Sequence, residues 1–140
     1  MLTKKMEEYV AARLEAGEEV LASLHELADK YEIGFATIQA IGALQSATLG
    51  YFDPSDKEYH QIPVDEQVEV TALSGNISRL EDGQPFAHIH ALLSRANGET
   101  LGGHLSEGIV RPTLEIVLTL LPGEVVRRKD PLSDLNLWSL

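Results

Sequence analysis

FAHIHALLSRANGETLGGHL, residues 86–105, is the stretch on which the reading of this 140-residue chain turns. Two apolar runs, Phe86 to Leu93 and Thr100 to about Ile109, flank Asn97-Gly98, the strongest two-residue hairpin signal in the chain. On a strand, residues two apart face the same side, roughly 6.6–6.8 Å from one another. His88 and His90 therefore share a face, and a third histidine, His104, follows the glycine pair Gly102-Gly103. Two strand histidines and a third from a neighbouring strand can converge on one ion at about 2.0–2.1 Å, leaving a fourth position open. The register decides whether they do. If Asn97-Gly98 alone form the loop, Ala96 pairs with Glu99, His90 faces Leu105, and His104 opposes Ala91 on the wrong side of the sheet. One extra residue restores the site, as a three-residue loop or as a bulge. Gly102-Gly103 are the natural place for a bulge, since glycine tolerates the left-handed geometry. A metal site at His88, His90 and His104 thus requires an odd loop or bulge between Arg95 and His104. An all-imidazole set suits zinc, nickel, copper or iron and does not choose among them; zinc is taken as the working expectation.

The rest of the chain reads as short strands around one helix. From Gly17 to about Tyr31, the residues Val20, Leu21, Leu24, Leu27, Ala28 and Tyr31 form one face of a 3.6-residue period. Glu18 and Glu19 fall in its expected first turn, and Gly34 is placed to end it. Strands are expected at 35–41, broken by Gly42, at 47–52, 59–62, 68–73 and 114–121. Residues 1–12 admit two readings: Leu2, Met6, Tyr9, Val10 and Leu14 keep helical spacing, yet Tyr9 to Leu14 equally suits an edge strand. The pattern predicts an α+β fold, a mostly antiparallel sheet with one main helix packed on it.

Composition narrows the function. At 15.3 kDa the chain is one domain's worth, and its 44% hydrophobic content supports a core without disulfides. The absence of cysteine excludes thiolate chemistry and Cys-ligated metals, and suits a cytoplasmic protein. No apolar run approaches the ~20 residues of a membrane span. The net charge of −11 opposes binding to DNA, whose affinity comes from cations displacing phosphate counterions. Arg127-Arg128-Lys129 and Lys4-Lys5 read as solvated charge runs. Glu107, three residues after His104, and Asn76 are weak catalytic expectations; His25 and His60 read as structural or solvated.

Several motifs follow one another in a characteristic order: Gly17-Glu18-Glu19-Val20, Ala40-Ile41-Gly42-Ala43, Ala47 to Asp53, Leu73-Ser74-Gly75-Asn76-Ile77, His88-Ile89-His90 and Gly102-Gly103-His104-Leu105. Together they resemble the stand-alone prokaryotic form of the plant and prokaryote conserved (PPC) domain. The likeness runs from about Tyr9 to Glu124, within a single domain 1–140 whose core is 9–124 and whose tail is 125–140. It implies an antiparallel α+β fold like that of acetolactate decarboxylase, a homotrimer, and a strand at Tyr9 to Leu14. Prokaryotic members are commonly described as DNA-binding, but the Arg-Gly-Arg-Pro hook of the plant relatives is absent here. Three-histidine metal sites occur on similar folds, and His88, His90 and His104 match that pattern. The expected function is a homotrimer with a three-histidine divalent-metal site that acts on or senses a small molecule. As an enzyme it would be a metal-dependent lyase or hydrolase of a small carbonyl, carboxylate or ester. The alternatives are a DNA-binding regulator and a trimeric scaffold without chemistry.

Overall fold

Strict alternation along residues 36–40, 68–70 and 114–118 buries every second side chain, and these segments are the heart of the sheet. The computed structural model describes residues 1–140 as nine strands and one helix. They are β1 (Leu2–Met6), β2 (Tyr9–Glu15), α1 (Val20–Lys30), β3 (Ala36–Asp53), β4 (Glu58–Val64), β5 (Val68–Leu80), β6 (Pro85–Ser94), β7 (Thr100–Leu120), β8 (Val126–Lys129) and β9 (Asn136–Trp138). All pairings are antiparallel except β5 with β8. The α+β expectation holds.

Four strands close on one another. β3 pairs with β5 and β7, β5 with β6, and β6 with β7, so each of the four is bonded to two others. Inside this ring and under α1 lies a core that includes Leu24, Leu27, Ile38, Leu44, Leu49, Ile77, Ile89, Leu93, Leu105 and Ile116. Burying one such side chain stabilises the fold by about 1.5–3 kcal/mol before the entropic cost of ordering it.

Several boundaries differ from the sequence reading, each for a local reason. The helix is Val20–Lys30, shorter than 17–31. Glu19 precedes it as N-cap, its carboxylate accepting from the Ala22 N–H at 2.7 Å and from the Gly108 N–H of β7 at 3.1 Å. Gly34 does not end the helix: Tyr31 is the C-cap, and the positive φ belongs to Glu32 at 51°. Gly34 is needed instead for close approach, because a Cβ there would meet the Gly123 carbonyl at 2.6 Å. Residues 2–6 are strand, not helix, and Tyr9–Glu15 is strand as the resemblance implied. The segments 35–41 and 47–52 are one strand, as are 100–109 and 114–121. Gly42 and Pro112 interrupt the register of these long strands without ending them. Residues 125–140, expected as a tail, include β8 and β9, with β8 paired to β5.

Candidate metal centre

The register problem posed by Asn97-Gly98 is resolved in the loop. The Arg95 N–H bonds the Glu99 carbonyl at 2.8 Å and the Gly98 N–H bonds the Arg95 carbonyl at 2.9 Å, leaving Ala96, Asn97 and Gly98 as a three-residue loop. Gly98 closes it at φ 84°. Ser94 then pairs with Thr100, and His90 pairs directly with His104. Of the two rescues the sequence allowed, the odd loop is the one used; Gly102 and Gly103 stay in register with Leu92 and Ala91, with no bulge between β6 and β7. The bulge of this region lies instead between β3 and β7, where Thr48 pairs with Glu107 and Leu49 with Leu105, leaving Ser106 over. Gly103 has a packing role, since a Cβ there would come within 2.9 Å of the Gly50 carbonyl.

On β6 the odd-numbered Ala87, Ile89, Ala91 and Leu93 point into the core, so His88 and His90 point outward. Directly paired residues of antiparallel strands share a face, which puts His104 of β7 and Asn76 of β5, opposite His88, on that same outer face. The three imidazole centroids form a nearly equilateral triangle: 5.3 Å for His88–His90, 5.3 Å for His88–His104 and 5.5 Å for His90–His104. One nitrogen from each ring lies within 4.8 Å of the others. A tetrahedral ion with bonds of about 2.0–2.1 Å needs these nitrogens about 3.3 Å apart, inside the 4.8 Å within which they lie.

The electrostatics keep two of the rings, His88 and His104, ready to donate. Burial pushes His104 down to about 4, with His88 and His90 adding to the effect. His88 is lowered by burial, then by the positive charge of Arg127 and by His90. A neutral imidazole has a lone pair to give to a metal. His104 Nδ1 is buried and has no hydrogen-bond partner, an arrangement that costs about 1–3 kcal/mol unless something other than the protein chain satisfies it. A metal cation among the three rings would satisfy such a nitrogen, so donor chemistry and geometry agree.

A cavity of about 180 Å³ adjoins the triangle, walled by Tyr59, Phe86, His88, His104, Arg127 and Asn136 among others. The Tyr59 ring lies 4.9 Å from His104, centroid to centroid, and rests over Gly50, where any Cβ would meet it at 3.0 Å. Arg127 corrects the sequence reading outright. It is not solvated but 5% exposed, and its guanidinium donates to Ser78 Oγ at 2.8 Å, Asn76 Oδ1 at 3.0 Å and the Asn136 carbonyl at 2.7 Å. On β8 Arg127 is buried while Arg128 and Lys129 are exposed; Val125-Val126 ahead of the triplet was the available sign of a strand.

Asn76 is therefore near the site, holding Arg127. Glu107 is exposed and does not join the histidine group. His25 accepts weakly from the Ala87 N–H at 3.4 Å, and His60 is exposed and paired with Asp56 at 2.7 Å, the structural and solvated roles expected of them.

A family model described as the Plants and Prokaryotes Conserved (PCC) domain matches residues 1–122. Among solved structures, a metal-containing protein from Archaeoglobus fulgidus is 34% identical, with TM-score 0.87 over 100% of this chain and 99% of that one. A protein from Bacteroides thetaiotaomicron with a provisional DNA-binding designation is 28% identical, with TM-score 0.94 over 99% of this chain and 96% of that one. A curated relative, the bifunctional protein GlmU of Synechococcus sp. (strain JA-2-3B'a(2-13)), is 34% identical over 123 residues. That match covers 85% of this chain but only 18% of the relative's length.

Proposed function

From the premise that the chain belongs to the Plants and Prokaryotes Conserved domain family, we propose that it is a homotrimeric, cytoplasmic metal protein whose His88, His90 and His104 hold one divalent transition ion, zinc foremost, to bind a small molecule for turnover or sensing. One observation carries the reading: three outward imidazoles at near-equal spacing, one with a buried nitrogen that no protein group satisfies. The metal-containing relative from Archaeoglobus fulgidus supports it. When bound, the ion supplies Lewis acidity at an open coordination position. The chain's own residues do the rest. β6 and β7 fix the ring positions, Tyr59 shields one side of His104, and Arg127 keeps positive charge beside His88.

Metal analysis of protein expressed in zinc-replete medium tests this. One zinc per chain is expected for the wild type and well under half of that for His90→Ala. A metal-free wild type would end the proposal. The trimer rests on the resemblance and on exposed apolar side chains, Ile41 at 60% and Val117 at 45%, that border one shallow groove with Thr71 and Glu115. Closed cyclic assembly covers such a patch.

The provisional designation of the Bacteroides thetaiotaomicron relative favours a second reading, DNA binding. A gel shift at 150 mM salt separates the two. Retention there supports the second reading, whereas retention only below ~50 mM reflects non-specific electrostatics.

A further inference from the structure

Arg127 is the one buried arginine, and it has no carboxylate partner. The other basic side chains with ion pairs, such as Arg79 with Asp29 and Arg128 with Glu81, meet acidic groups at or near the surface. Taking a lone guanidinium out of water costs several kcal/mol, so a buried charge ordinarily meets an opposite one. Here the partial compensations are three neutral acceptors and two aromatic rings, Phe86 at 4.9 Å and Trp138 at 5.6 Å from Cζ. A guanidinium has five N–H groups. Nε uses its only one on Ser78, and Nη1 and Nη2 each use one, on Asn136 and Asn76. One N–H remains on each terminal nitrogen, and Arg127 lines the same cavity as His88 and His104. The acidic residue on that wall, Asp134, is 70% exposed and pairs with Lys129 at 2.9 Å, so it does not neutralise Arg127.

We infer that this cavity binds a small carboxylate carrying a second oxygen donor, one end on the metal and a carboxylate on the two spare N–H groups of Arg127. The inference rests on the metal reading above and names the ligand class of that site. Two N–H donors on a planar fork match the two oxygens of a carboxylate. A phosphate also fits the fork, but it would set up to two charges against the single one of Arg127, where a carboxylate sets one. The volume of about 180 Å³ lies below the roughly 300–1,000 Å³ of pockets for drug-sized molecules, which suits a ligand of a few heavy atoms. Arg127 is a binding residue here; it holds the ligand's charge and sets which end reaches the metal.

The test is calorimetric titration of the zinc-loaded full chain with malonate, with malonamide as the uncharged counterpart and inorganic phosphate as the tetrahedral one. Malonate is expected to bind the wild type at least ~10-fold more tightly than either, with an Arg127→Gln loss of about 10- to 100-fold at unchanged zinc content. Arg127→Lys keeps the charge and removes the fork, and is expected to lose at least ~5-fold, which serves if the Gln variant fails to fold. Equal malonate affinity in wild type and a folded Arg127 variant overturns the inference, as does malonamide binding as well as malonate. Phosphate binding more tightly than malonate overturns the carboxylate class. Zinc absent from the wild type overturns the metal reading and the bridge with it, whereas zinc bound with malonate indifferent to Arg127 overturns the bridge alone.

Discussion

Acidifying the metal-free protein should destabilise it through His104, by an amount that follows from its burial. The unfolded chain protonates this imidazole near the ordinary 6.5, while the folded chain resists until about 4. Between those values the unfolded state binds more protons, so stability falls as pH falls and levels off below about 4. A gap of about 2.5 pH units at about 1.4 kcal/mol each, reduced by solvent screening of a ring that is only partly buried, puts the loss at about 2–3 kcal/mol. His88, lowered in the same direction, adds to it. Urea denaturation of chelator-treated wild type and His104→Gln, followed by circular dichroism from pH 7 to 4 at one fixed protomer concentration, isolates the effect. The carboxylates titrate alike in both proteins, so the difference between the curves belongs to the histidine site. The wild type should be the steeper by about 2–3 kcal/mol over the range, and curves that run parallel would refute the assignment of a buried, neutral imidazole. Zinc at 100 times its dissociation constant should add about 2.7 kcal/mol at pH 7, a gain that shrinks on acidification as protons compete for the rings.

Gly75→Ala should cost at least about 1–3 kcal/mol and lower zinc content, because its Cβ would run into the His88 carbonyl and lie 2.8 Å from Ile89 Cα, backbone that carries two of the three site histidines. Gly102→Ala, whose nearest neighbour would be Leu92 Cδ1 at 3.5 Å, should stay within about 0.5 kcal/mol of wild type and keep its zinc. Arg79→Ala should lose about 2–4 kcal/mol in the same denaturation assay, since this side chain ties β5 to the helix end through Ile33, Asp29 and Ala28 at 2.7–2.9 Å. Ile41→Asp should convert a species of about 46 kDa, three times 15.3 kDa, into one near 15 kDa in size exclusion with light scattering.

The histidine cluster was legible because strand periodicity is short-range: two residues along β6 fix a shared face whatever the rest of the fold does. The loop was half legible. Asn97-Gly98 suits a two-residue turn and equally a three-residue loop closed by a left-handed glycine, and local sequence does not choose between them. The choice is made by packing, since only the longer loop puts Ala91, Leu93 and Leu105 together inside the ring. Strand lengths were misread where Gly42 and Pro112 looked like endings. Bulges absorb both, because neighbours on either side hold the long strands β3 and β7 in place. Arg127 was missed for a different reason. Its partners Asn76 and Ser78 lie about fifty residues away, and nothing within a basic triplet says which member a parallel pairing with β5 will turn inward.

That one arginine changes what the charge of the molecule means. Of the eleven basic side chains, Arg13, Arg79, Arg95, Arg128 and Lys129 already meet carboxylates, and Arg127 is buried. Lys4, Lys5, Lys30, Lys57 and Arg111 remain, divided among β1, the helix end, the turn before β4 and β7, on a surface with 22 acidic residues. A duplex backbone is held by many cations in a stripe, and taking any one of them away lowers both the affinity and its salt slope. A small anion needs only one cation, provided that cation is dry, held in place, and screened from the acidic surface by protein. Arg127 is buried and held by three hydrogen bonds beside three imidazoles of which two are pushed towards neutrality, and the acidic group on its cavity wall, Asp134, is paired with Lys129. The same acidic exterior that repels a polyanion costs a ligand of one or two charges far less. Charge outside and charge inside thus argue together for the proposed small carboxylate over a duplex.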